Sequence, residues 1–237
     1  MSLRDVIDKK DRMVAAKLIR FEQELAKMGN EAAKRVGQLF RNGIFETDAI
    51  REAMSGFFEF ETAWVDSYAD VIRLNRDVAK EIGYKFMLSE KMIDMYDILT
   101  NTDIEKLHIL NETYIADMKK MGTRWIMEGK SLQDVAFNTE LTEMLSTMNR
   151  RLTTEAYTGI YQADSAIKKD FFEQAGIELF YYDGPNDDVT RDECQATLGD
   201  PRQETGWTMD DIQSSQTPFI ERGGYNCRHE WLPMVGK

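Results

Sequence analysis

A chain of 237 residues, 42% of them hydrophobic and 30% charged, has the composition of one large or two small folded, soluble domains and not that of a disordered chain. No apolar run approaches the ~20 residues of a membrane-crossing helix, and the charged start Met1-Ser2-Leu3-Arg4-Asp5 lacks an apolar signal core. A net charge of −12 argues against whole-protein attraction to nucleic acid, although residues 1–42 hold ten Lys/Arg against six Asp/Glu. These features predict a protein made and used inside a cell, or within an assembly formed there.

All four prolines (Pro185, Pro201, Pro218, Pro233) fall after residue 184. Proline costs ~3 kcal/mol inside a helix, so the stretch before it is free to run as long helices. In the first, Val14, Leu18, Phe21, Leu25, Met28, Ala32, Val36 and Leu39 step by three or four. Arg20, Lys27, Lys34 and Arg41 recur every seven residues along its flank. Flanking positions of that kind pair with acids on a neighbouring helix, in this chain or another; DNA contact is the alternative. Thr47-Asp48 reads as an N-cap. In the second helix Phe57, Trp64, Val71 and Val78 recur every seven residues, with Phe58, Val65, Ile72, Ala79 and Phe86 one place later. Met54, Tyr68 and Ile82 widen this face to that of a bundle core. Glu61 and Asn75 interrupt it and are expected at its edge or paired with neighbouring groups.

Ser89 with Glu90 predicts a shorter helix through Leu99. A third long helix carries Ile104, Leu107, Tyr114, Met118, Met121 and Trp125, with His108 beside the stripe in a structural role. Gly129-Lys130-Ser131 breaks it, and Ser131 with Asp134 caps the next. The fourth long helix, Leu141, Met144, Leu145, Met148, Leu152, Ala156, Ile160, Ala163, Ile167 and Phe171, ends at Gly176, a residue suited to a left-handed C-cap. The predicted fold is mainly α: an elongated antiparallel helical bundle over residues 1–176, followed by a small α+β cap over 177–237.

In that cap Ile177–Tyr182 is aromatic and β-prone, Asp183-Gly184-Pro185-Asn186 is a turn, and Arg228–Leu232 is the expected partner strand. Arg191–Leu198 suits one or two helical turns, and Thr208 opens another with Asp211 at capping-box distance. Gly223-Gly224 permits backbone angles that side chains forbid. Cys194, Cys227 and His229 are the only soft ligand set in the chain. Cys-x-His on a strand places both side chains on one face. A tetrahedral zinc site needs a fourth ligand, for which Asp188 and Asp192 are the candidates. A disulfide, or buried reduced cysteines beside a structural histidine, are the other readings. A Cys–His nucleophile pair lacks an evident oxyanion loop and orienting group, and no P-loop, dinucleotide fingerprint, H-E-x-x-H or G-x-S-x-G is present.

These residues resemble the phage head morphogenesis family, minor head proteins similar to the F protein of phage Mu. The matching positions are Thr154-Glu155, Phe180–Tyr182, Thr190-Arg191 with Cys194, Gly199, and Asn226-Cys227-Arg228 followed by Trp231 and Pro233, over roughly residues 145–235. Thr153 stands where that pattern has an arginine, and His229 where it has a final cysteine. The resemblance implies a non-enzymatic minor capsid protein, assembled in the host cytoplasm and bound in the phage head at or near the portal vertex. Its partners would be the portal and other capsid proteins, with DNA contact open through the basic stripe and none with membrane. A helical adaptor with a zinc-clipped tail, and a Cys/His enzyme, are the competing functions.

Overall fold

The computed structural model describes residues 3–58, 60–81, 87–225 and 227–234. Before the first proline these residues form α1 (Leu3–Arg41), α2 (Thr47–Ala53), α3 (Ser55–Phe58), α4 (Phe60–Glu81), α5 (Glu90–Met127) and α6 (Val135–Gln174). After it come β1 (Phe180–Asp183), α7 (Asp192–Leu198), α8 (Arg202–Thr205), α9 (Met209–Gln213) and β2 (Glu230–Pro233). The protein is mainly α with a small C-terminal α+β part, as the periodicity and the proline distribution predict. The expectations for Ile82, Phe86 and Asn226, and for the side chains of Phe57, Phe58 and Glu61, lie outside the described residues.

Several boundaries differ from those read along the chain. The short helix ending at Leu99 and the one carrying Ile104 are a single α5. Thr100-Asn101-Thr102-Asp103 are weak helix formers, but with neither Gly nor Pro among them nothing breaks the hydrogen-bond ladder. Thr47 lies inside α2, and the N-cap is Glu46. At α6 the capping falls to Asp134, whose Oδ1 accepts the Ala136 N–H at 2.9 Å, while Ser131 accepts that of Gln133. The end of α6 follows expectation. Gly176 has φ +67°, and the Ile177 N–H reaches back to the Phe172 carbonyl at 3.0 Å, the closure of a Schellman motif. Thr208 and Asp211 form the predicted capping box.

The chain packs as two compact units, to both of which α1, α4, α5 and α6 contribute. One comprises Ala16–Asp66 and Thr100–Thr153. Its core includes Phe40 stacked on Phe45 at 4.8 Å and Trp125 edge-on to Phe137 at 5.4 Å. Arg20, Lys27 and Lys34 are exposed there, and none has an ion pair among the described residues; Arg41 donates to Asn138 Oδ1 at 2.9 Å. The acids expected opposite this stripe are therefore not supplied by the described part of this chain.

The other unit comprises Met1–Ala15, Ser67–Leu99 and Thr154–Lys237. In its two-stranded antiparallel sheet Phe180 lies opposite Pro233 and Tyr182 opposite Trp231. Backbone bonds from Phe180 to Trp207 cover the other edge of β1. Phe172, Phe180 and Phe219 form an aromatic cluster under the sheet, and the buried Trp231 donates its indole N–H to the Thr217 carbonyl at 2.8 Å.

The same unit holds charges that a helical stripe would place in water. Lys10, Asp164, Lys168 and Asn75 are all buried. Lys10 donates to both Asp164 oxygens at 2.8 Å, and Asn75 donates to Asp164 at 2.7 Å. Lys168 meets Asp164 at 3.2 Å, Asp11 at 3.3 Å, and Glu230 of β2. Burial by itself would raise the Asp164 carboxyl; the Lys10 and Lys168 charges and the bonds from Lys10 and Asn75 reverse this and hold it well below the aspartate range. Asn75, which interrupts the apolar face of its helix, is a member of this cluster.

Asp164→Ala leaves two buried ammonium groups without their shared carboxylate. It is expected to cost about 3–5 kcal/mol in urea unfolding. Because the folded Asp164 value lies below the ordinary 3.8, the stabilisation is complete above that value and disappears as pH falls through the folded one. Asp164→Asn should flatten the acid limb of the stability–pH profile.

Candidate metal centre

Three segments of the second unit converge on one point. β1 contributes Tyr182, the first turns of α7 contribute Cys194, and the extended lead into β2 contributes Cys227 and His229. The two sulfurs are 3.8 Å apart, and Cys227 Sγ is 3.6 Å from His229 Nδ1. The ligand atoms of Cys194, Cys227 and His229 all lie within 4.8 Å of one another, and all three residues are buried. Zn–S bonds of ~2.3 Å and Zn–N bonds of ~2.0–2.1 Å at tetrahedral angles give edges of about 3.8 Å between sulfurs and about 3.6 Å between sulfur and nitrogen. The donor set fits such an ion in type and in the Cys194–Cys227 and Cys227–His229 spacings, while the set as a whole spans up to 4.8 Å, so that an ion would draw Cys194 and His229 closer together. At 3.8 Å the thiols are free, since a disulfide needs about 2.05 Å.

The imidazole is held in the tautomer a metal requires. His229 Nε2 lies 2.7 Å from the Pro185 carbonyl, which can only accept, so Nε2 carries the proton and the Nδ1 lone pair faces the sulfurs. Thr190 Oγ1 donates to the same carbonyl at 2.9 Å, fixing its position. Burial lowers the His229 pKa below the usual histidine value; the Pro185 bond raises it and the Arg228 and Arg222 charges lower it further, so the balance favours the neutral ring. Tyr182 stacks on that ring at 5.4 Å.

The two cysteines differ electrostatically. Burial pushes the Cys194 thiol up to about 11, with Tyr182 only partly offsetting it. Burial also raises Cys227, but the His229 N–H at 3.4 Å, the Tyr182 hydroxyl, the Gly223 N–H at 3.3 Å and the Arg222 charge outweigh it and hold Cys227 below the usual cysteine value. A cleft of about 700 Å³ opens beside Cys227, between Tyr157, Tyr161, Arg222 and Arg228.

The supporting shell is largely backbone. Arg191 donates to the Gly223 carbonyl at 2.8 Å and to that of Tyr225, so the Thr-Arg segment clamps the loop that carries Cys227. Arg228 forms a two-pronged pair with Asp187 at 2.6 and 2.9 Å. Arg222, at φ +52°, donates to the His229 carbonyl at 2.9 Å. A Cβ on Gly223 would lie 2.2 Å from Cys194 Sγ, so the glycine is required by close approach; its neighbour Gly224, at φ +80°, is required by its angle.

Asp188 and Asp192 do not supply the fourth ligand. Both are exposed and neither belongs to the cluster, because the turn after β1 and the start of α7 present them to solvent. The group that sequence reasoning missed is Tyr182, whose hydroxyl lies 3.5 Å from Cys194 Sγ and 3.6 Å from Cys227 Sγ. A β-prone aromatic run offered no signal separating it from core residues.

Gly223→Ala must displace Cys194 or lift the loop, at an expected cost of about 1–3 kcal/mol. A trivalent arsenical that bridges adjacent thiols should bind the reduced wild-type protein and lose affinity for Gly223→Ala. No family model, curated protein or solved structure matches the chain.

Proposed function

We propose that this chain is a non-enzymatic structural component of a tailed-phage head, a minor capsid protein that acts at or near the portal vertex in head assembly or genome delivery. A metal ion clips its C-terminal module. The observation that carries this reading is the convergence of Thr190, Arg191, Cys194, Cys227, Arg228 and His229 into one buried knot. All but His229, which stands where the pattern has a cysteine, carry the resemblance to the Mu F-like minor head proteins, and each has a part in holding the module together. Cys194, Cys227 and His229 are no more than 5% exposed, which suits a clip better than a reactive centre.

The 3.6 Å Cys227–His229 distance also suits a nucleophile and its base. Against that use, a second thiol sits 3.8 Å from Cys227, and the imidazole is tied to a carbonyl rather than to a carboxylate. Partners are proposed to be the portal and neighbouring capsid proteins. The exposed stripe of Arg20, Lys27 and Lys34 offers them, or packaged DNA, a basic surface. No helix among the described residues is long and apolar enough to cross a membrane.

Purified phage heads are expected to contain this chain at low copy, cross-linked to portal protein. Its absence from proheads and virions, together with turnover of a substrate by the purified protein, would sink the proposal. Replacing Arg20, Lys27, Lys34 and Arg41 with glutamine should leave the fold intact and weaken capture by the protein partner. Loss of salt-sensitive DNA retention instead would identify DNA as what the stripe contacts.

A further inference from the structure

We infer that the Tyr182 hydroxyl oxygen is the fourth ligand of a zinc ion held by Cys194, Cys227 and His229, completing a tetrahedral centre of two thiolates, one imidazole and one phenolate. This rests on the metal centre proposed for the module and specifies how it is closed.

The argument begins with spacing. A tetrahedral zinc with Zn–S of ~2.3 Å and Zn–O of ~2.0–2.2 Å sets sulfur and oxygen about 3.5–3.7 Å apart. Tyr182 Oη stands 3.5 Å from one sulfur and 3.6 Å from the other. An oxygen nearly equidistant from two sulfurs stands where a cation shared with both would place it. Among the described residues no carboxylate or second histidine joins the cluster, so the missing donor has to come from another residue type. Tyr182 is also held in place: it is buried, opposite Trp231 in the sheet register, against the Trp231 ring at 4.7 Å and stacked on His229 at 5.4 Å. The hydroxyl cannot swing away without displacing the Trp231 and His229 rings.

Charge supports the same assignment. Two thiolates and a phenolate around a divalent ion leave one net negative charge, and the Arg222 guanidinium, anchored on the His229 carbonyl, lies beside it. Loading the site releases the thiol and phenol protons to solvent and involves no redox change. Zinc suits the set because thiolate and imidazole are its preferred ligands and a tetrahedron its usual geometry. With its fourth position filled by protein the site is closed, as structural zinc sites are.

The test compares full-length wild-type protein with Tyr182→Phe, which removes only the hydroxyl. Metal content is measured after reconstitution with Zn²⁺, affinity by competition with a chelator, and ligand field by Co²⁺ substitution. Wild type should hold one zinc per chain. Tyr182→Phe should bind it at least about tenfold more weakly, since loss of even an outer-shell partner costs that much, and should shift the Co²⁺ visible bands. Stripping the metal from wild type should also abolish a tyrosinate ultraviolet signal, a readout that needs no variant. Equal affinity, an unchanged Co²⁺ spectrum and no tyrosinate signal would remove Tyr182 as a ligand and leave the metal centre standing. Metal-free wild type with a Cys194–Cys227 disulfide on peptide mapping would overturn both.

Discussion

The buried charge cluster around Asp164 is the constraint on which the C-terminal unit depends. Taking Lys10, Lys168 and Asp164 out of water costs several kcal/mol per ion unless each finds partners. Asp164 receives Lys10, Lys168 and Asn75, and Lys168 also reaches Asp11 and Glu230. Those residues come from α1, α4, α6 and β2, so the cluster is satisfied only when all four elements are in register. Residues 163–168 of α6 are buried on every side, which is possible because Asp164 and Lys168 neutralise one another and their neighbours. A wholly apolar core would be as stable and less particular about which helix faces which. Directional charge pairs admit one arrangement.

Glu230 ties this cluster to the Cys194–Cys227–His229 knot, because it lies next in the chain to His229 and opposite Asp183 in the sheet. The two-stranded sheet is too small to stand by itself. It is supported from below by the Phe172–Phe180–Phe219 cluster, along one edge by Trp207, and at its end by the contacts around Cys194 and Cys227. Arg191, Thr190 and Arg222 then fix backbone carbonyls. A module built this way spends its polar groups on holding three loops together. That is the physical ground for reading the site as a clip.

The charge distribution takes on a different meaning in the folded chain. Of the basic residues within 1–42, Lys10 is consumed internally, whereas Arg20, Lys27 and Lys34 are among those that face water. Net charge counted along the chain could not separate the two uses, because burial decides which charges act at a distance.

Much of the local structure was legible beforehand. The three-and-four spacing of apolar residues and the absence of proline before Pro185 determined the helical stretch. Gly176 and the Thr208–Asp211 pair marked a helix end and a helix start through backbone chemistry that operates within a few residues. Cys194, Cys227 and His229 stood out by type alone. Tertiary structure decided the rest. It ran α5 through a polar stretch that looked like a break, and it buried Asn75, Asp164 and Lys168 where composition reads surface. It also turned Asp188 and Asp192 outward and brought Tyr182 to the sulfurs. Helix periodicity and caps are set by neighbours three or four residues away. Burial of charge and the gathering of two thiols, an imidazole and a phenol are set by groups tens to more than a hundred residues apart, whose meeting only the packed chain determines.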